Sequence, residues 1–350
     1  MDGINNWNGG SILGNSRKVS YEEATKDGTT RILFMGPRRS GKTSIDRVIF
    51  QNMSPHETLF LEATNSCDIN NTLSNRLVQF QTWDFGGDLN LSTDVQYMGN
   101  DISFETIFKK SNTLVYVIDA QEDDYEDSLP KLAETISVAH NANPSIHFEV
   151  FLHKVDGDFM SEETKAERKQ GIQSFVSAEL SEKGNGDVLV SYYLTSIYDH
   201  SALEAFSKVV QKLVPQLPTL NSLLDVLIAC CNIEKSFIVD VITKLYIATD
   251  STPVDAHTYE LCSDLLDVVV DISYIYGMTD GKTAYDDRST SAIRLNNGMV
   301  LYLRQVSDYL ALVCIMHVDS FSKRSLLDYN IDIFRGSLAD LIGEEGNRRT

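Results

Sequence analysis

Short apolar blocks alternate with stretches of helical periodicity through the first three-fifths of the chain. The run Arg31-Ile32-Leu33-Phe34-Met35 is apolar enough for a strand buried on both faces of a sheet. Similar runs follow at 77–83, 113–119, 147–152 and 188–194. Apolar residues recur at helical spacing over 129–140, 162–180 and 201–213. Strand and helix in alternation predict a doubly wound α/β sheet over 29–214. The first 28 residues, rich in Asn, Gly and Ser with few apolar anchors, are expected to form a disordered arm.

Pro215-Gln216-Leu217-Pro218 breaks the rhythm and reads as a linker. Beyond it the pattern predicts a helix over 219–231, paired strands at 236–241 and 244–249, and a long helix over 256–274. Three strands at 292–296, 299–306 and 309–318 come next, then a helix over 320–342. Asn296-Asn297-Gly298 joins two of these strands with residues that tolerate positive φ, a hairpin signal. Residues 219–346 are therefore expected to be a separate antiparallel α+β domain, with 347–350 as a tail.

Composition narrows the function. The 350 residues carry a formal charge of −20. Nucleic-acid affinity rests on Lys and Arg neutralising phosphates, so no nucleic-acid partner is expected. Cys67, Cys230, Cys231, Cys262 and Cys314 show no zinc spacing and suit a reducing compartment. No run of 18 or more apolar residues occurs, so no direct membrane insertion is expected. The termini show no signal peptide and no myristoylation or prenylation pattern.

The chemistry sits at strand ends. Gly36-Pro37-Arg38-Arg39-Ser40-Gly41-Lys42-Thr43 matches G-x-x-x-x-G-K-[ST] between a strand and a helix. Glycines there let backbone amides point at phosphate oxygens, Lys42 brings charge to the terminal phosphates, and the Thr43 hydroxyl is placed for Mg²⁺. The following helix, from Ser44 onward, adds its positive dipole end. Asp84-Phe85-Gly86-Gly87 has the D-x-x-G form: Asp84 behind the Mg²⁺, the Gly87 amide at the γ-phosphate. Thr64 is the candidate loop residue touching both. His153-Lys154-Val155-Asp156 follows a further strand. The Asp156 carboxylate can accept hydrogen bonds from N1–H and the 2-amino group of guanine, donors that adenine lacks there. The stem of Lys154 can cover the base. Ser196-Ile197 could place a backbone amide near the guanine oxygen. GTP or GDP with Mg²⁺ is the cofactor set these residues imply.

Together these residues resemble a Rag-type small GTPase, a branch related to Ras. The likeness is dense in 38–42, 53–62 and 153–156, and His153 stands where most small GTPases carry Asn. Residues 116–121 and 194–201 are further matches to that family, and 204–213 and 246–251 are similar to the C/D subclass. The resemblance implies an α/β P-loop GTPase (Ras-like) domain followed by an α+β roadblock/longin-like domain. It also implies heterodimer formation with an A/B-type Rag through the C-terminal domain, and a lysosomal scaffold complex as tether. Control of the target-of-rapamycin (TOR) kinase complex in response to amino acids would follow, with a GTPase-activating protein as regulator. The location implied is the cytoplasm and the cytosolic face of the lysosome, with the nucleus as a further site. The family's water-orienting Gln is replaced by Asp88, and its Pro by Gly86. An ionised Asp88 cannot donate a hydrogen bond and would face a γ-phosphate of like charge, so slow intrinsic hydrolysis is expected. A subunit that holds nucleotide as a scaffold, hardly hydrolysing it, is the rival reading. A P-loop ATPase is disfavoured by Asp156.

Overall fold

The computed structural model describes residues 26, 28–73, 79–87, 90–122, 124–125, 127–156, 160–277, 289–307 and 309–348. The expected N-terminal arm, apart from positions 26 and 28, lies outside them, as do Asp88 and the final two residues. The first sheet contains β1 (Thr30–Met35), β2 (Cys67–Leu73), β3 (Gln79–Phe85), β6 (Thr113–Asp119), β7 (His147–His153) and β8 (Val190–Thr195), in the order β2-β3-β1-β6-β7-β8. A separate hairpin, β4 (Val95–Tyr97) with β5 (Asn100–Ile102), lies between β3 and β6 in sequence. All pairings in the large sheet are parallel except β2 with β3.

Continuous apolar runs suit these strands because helices cover both faces. One face packs on α2 (Phe104–Lys109), α3 (Ser128–Ala142) and α4 (Glu162–Glu182), burying Phe104, Leu132, Ile136, Ile172 and Val176. The other packs on α1 (Lys42–Gln51) and α5 (Ser201–Gln211). Phe206 of α5 sits at the centre of that face, with ring centroids 5.7 Å from Phe34 and 5.1 Å from Phe50.

The second sheet is antiparallel: β9 (Lys235–Asp240), β10 (Tyr246–Thr249), β11 (Thr290–Arg294), β12 (Met299–Ser307) and β13 (Leu310–His317), in the order β10-β9-β13-β12-β11. The Asn297-Gly298 turn between β11 and β12 uses Gly298 at φ 84°, as its residue type foretells. On one face lie α6 (Leu217–Cys231), α8 (Val318–Phe321) and α9 (Arg324–Arg348); on the other lies α7 (Ala256–Gly277). No helix of the described residues is long and apolar enough to cross a membrane.

The two-part fold class read from the sequence is what the structure shows, with corrections. The linker lies at 212–216 rather than 215–218, since α5 ends at Gln211 and α6 starts at Leu217 with Pro218 in its first turn. Proline fits there because first-turn amides have no helical partner to lose. The second domain keeps a core of its own between its sheet and α7, but its other sheet face shares one with the first domain. Ile45, Phe50 and Phe206 of the first domain belong to one apolar cluster with Leu220, Leu224, Ile238, Leu312 and Phe334 of the second. Backbone contacts reinforce that seam: Ser207 Oγ accepts from the Tyr246 amide at 3.1 Å, and Asn52 Nδ2 donates to Ile242 O at 2.9 Å. Finally, α9 runs on to Arg348, so part of the expected tail is helical.

Candidate nucleotide-binding site

Apart from Thr64, the residues singled out by motif come from the carboxyl ends of β1, β3, β7 and β8, where open α/β sheets place their ligand crevice. A cleft of about 660 Å³ opens there. Its walls include Arg38, Arg39, Gly41, Lys42, Thr43 and Ser44 at one end and His153, Lys154, Asp156 and Ile197 at the other. Thr64 and Gly87 line it as well.

The loop after β1 is tightly packed. Gly41 adopts φ 103°, and a Cβ on it would lie 2.4 Å from His153 Cδ2. A Cβ on Gly36 would sit 2.2 Å from Val117 O, and one on Gly87 2.2 Å from the Arg38 amide nitrogen. Lys42 Nζ donates to the Gly36 and Pro37 carbonyls at 2.9 and 2.7 Å, which holds its charge over the concave side of the loop. Ser40 is fully buried behind the cleft, and its Oγ has no hydrogen-bond partner among the described residues.

The three groups that the sequence assigns to a metal site meet, each from a different part of the chain. Thr43 Oγ1 and Thr64 Oγ1 donate to the same Asp84 oxygen at 2.5 and 3.2 Å, and the hydroxyl oxygens lie 3.0 Å apart. The other oxygen of Asp84 is buried without a partner among the described residues. Burial raises the Asp84 pKa, against the Thr43 hydroxyl, the Lys42 charge and the Thr64 hydroxyl, which lower it. Oxygen donors around an under-satisfied carboxylate fit a hard divalent cation such as Mg²⁺. Thr43 and Thr64 would hold it directly, with Asp84 behind them. Bound there, it would neutralise charge developing on the phosphates.

The base end is built as a chain of contacts. Asp156 Oδ1 accepts from Ser196 Oγ at 2.8 Å, and that oxygen accepts from the Tyr198 amide at 3.0 Å. The Ser196 amide itself donates to Ser201 Oγ at 2.8 Å. It is therefore taken, so Ser196 acts by aiming Asp156, and Ile197 is the residue of the pair that faces the cleft. Lys154, at φ 65°, donates to the Arg39 carbonyl at 2.8 Å and to the Asp119 carboxylate. It ties the phosphate loop to the base loop. His153 is 1% exposed, with Nδ1 3.0 Å from Thr195 Oγ1. Burial, helped by the Lys154 charge, lowers its pKa to about 4, so it is a neutral spacer against Gly41.

Sequence reasoning missed several wall residues: Gln121, whose Nε2 donates to Lys154 O at 3.0 Å, and Thr58, Leu59, Leu61 and Tyr198. Gln121 stands just past β6, a strand already assigned, and its place beyond a central strand's carboxyl end was the available signal.

Residues 31–266 match the family described as the Gtr1/RagA G protein conserved region. The chain is 49% identical to Ras-related GTP-binding protein C of Mus musculus over 313 residues, 89% of this chain and 76% of that protein. It is 43% identical to GTP-binding protein gtr2 of Schizosaccharomyces pombe over 316 residues, 89% of this chain and 97% of that protein. Among solved structures, Myxococcus xanthus MglB aligns at 16% identity and a TM-score of 0.31, covering 37% of this chain and 92% of that chain. A P-loop and a guanine-type base loop on one crevice define a nucleotide-binding G protein. This chain belongs to the Gtr1/RagA family of GTP-binding G proteins.

Proposed function

We propose that the protein is a guanine-nucleotide switch of the Rag C/D kind whose intrinsic GTP hydrolysis is slow. The observation that carries this reading is the single cleft shared by Lys42, Thr43 and Thr64 at one end and Asp156 at the other. GTP with Mg²⁺ would draw Thr64 and Gly87 inward, and hydrolysis would release them, so that the loops report the nucleotide state. The C-terminal α+β domain would act as a roadblock-type module pairing with an A/B-type Rag. A lysosomal scaffold complex, the TOR kinase complex under amino-acid control and a GTPase-activating protein complete the proposal. Its support is the resemblance to relatives of the C and gtr2 kind.

A second reading, a scaffold subunit with negligible hydrolysis, is favoured by Asp88 in place of Gln. Single-turnover hydrolysis on GTP-loaded protein separates the two. The switch reading expects slow but measurable turnover that rises in Asp88→Gln; no turnover with or without an activating protein favours the scaffold. Competition of GTP against ATP for the cleft tests the base assignment, and equal affinities would refute it.

A further inference from the structure

Two rings from distant parts of the chain meet beside the cleft. His56 belongs to the 3₁₀ helix Pro55–Phe60, and Tyr198 to the loop that follows β8. Their ring centroids are 5.7 Å apart with planes tilted by 53°. That spacing lies within the range over which aromatic rings attract one another.

Each ring is fixed to a wall of the cleft. On the His56 side, Ser54 and Glu57 form a capping box, and Thr58 Oγ1 donates to Pro55 O at 2.7 Å. Thr58, Leu59 and Leu61 line the cleft from this side, and a few residues on stands Thr64. On the other side, the Tyr198 amide holds Ser196 Oγ, which in turn holds Asp156. Leu59 and Phe60 are 73% and 85% exposed, so these two large side chains give the helix little anchorage. A short helix with so little packing depends on the few contacts it has.

We propose that His56 and Tyr198 form a latch that fastens the Pro55–Phe60 helix to the guanine loop and sets how fast nucleotide leaves. The proposal rests on the guanine-nucleotide reading of the cleft and adds its control of release. For a bound base to depart, the two walls part and the ring contact is lost. His56 acts by position and needs no contact with the nucleotide. Losing such a contact shows in the dissociation rate more than in the association rate.

The test uses the full-length protein loaded with fluorescent GDP and chased with excess unlabelled GDP. His56→Ala is expected to release roughly 3- to 10-fold faster. His56→Phe, which keeps a ring, is expected to stay near the wild-type rate. Tyr198→Ala is expected to accelerate release too, and the double variant to be no faster than the faster single one. Unchanged release in His56→Ala, or accelerations that multiply in the double variant, would overturn the latch. Wild-type protein that takes up no GDP would overturn the cleft reading and the latch together, and is recognised at loading, before any chase. His56 is exposed and Tyr198 is 49% exposed, so neither substitution empties the core.

Discussion

At the scale of single residues, Asp156 and Gly86 show how much one position decides. The Asp156 carboxylate is aimed by Ser196, and its two expected hydrogen bonds to guanine are charge-assisted. Asp156→Ala should weaken GDP and GTP binding by about 3–5 kcal/mol, on the order of 10²–10⁴-fold, while leaving ATP binding as weak as before. Equilibrium titration with both purines checks this. Gly86 replaces the Pro that the C/D resemblance implies, and its amide donates to Ser66 O at 2.9 Å. Proline could not make that bond. His153 shows the limit of reading residues singly. Its identity was visible as a departure from Asn, but its neutral state follows from burial against Gly41, a contact between distant loops.

At the scale of elements, the phosphate loop and its helix are held by close packing. Gly41→Ala should abolish nucleotide loading, because it combines a strained φ with a Cβ driven into a buried ring. Loss of bound nucleotide on purification checks it; normal loading would show that the loop yields. Further along α1, Asp46 is buried, and burial, with the nearby Asp84 charge adding to it, raises its pKa from an ordinary 3.8 to about 7. A carboxyl raised in the folded state supports folding below its unfolded pKa, and that support drains away as pH rises from about 4 to about 7. Asp46→Asn should therefore stabilise the protein by ~2–4 kcal/mol at pH 7.5 and by little at pH 4. Urea unfolding at the two pH values decides the matter, and equal effects at both would refute it.

Legibility also varied by element. The strand Thr113–Asp119 was read to its end residues, because an uninterrupted apolar run leaves no other option. The β2 strand, Cys-Asp-Ile-Asn-Asn-Thr-Leu, was not seen at all. It buries Cys67 and Ile69 on one face but Asn70 and Thr72 on the other, with Asn70 Nδ2 donating to Asp46, so it lacks the unbroken apolar run of its neighbours. The β4–β5 hairpin escaped because three-residue strands leave no period to detect. Within the site, motif residues were legible because phosphate and guanine chemistry fixes their spacing. Gln121, Thr58 and Tyr198 were not, since their place in the wall depends on how loops fold over the crevice.

At the scale of the whole molecule, the two sheets are joined by one apolar cluster with Phe206 near its middle. Phe206→Ala should cost about 3–5 kcal/mol and lower the stability of both halves together. Calorimetry should show a single transition for the wild type, and two well-separated peaks would contradict the shared core. The exposed apolar stripe Val268, Ile272 and Ile275 lies toward the C-terminal end of α7, beyond Tyr259, Glu260 and Asp264, which meet His200 beside α5.

That shared seam also limits how the chain can be cut and recombined. A graft severed at Pro215-Gln216 would carry β10 and α7 away from the flank of α5 they contact, opening the apolar cluster that Phe206, Val209 and Val210 share with Leu220, Leu224 and Leu245. Exchanging second halves between relatives should thus yield soluble hybrids only when α5 travels with the half it supports, or when the new host presents side chains of matching bulk along that flank.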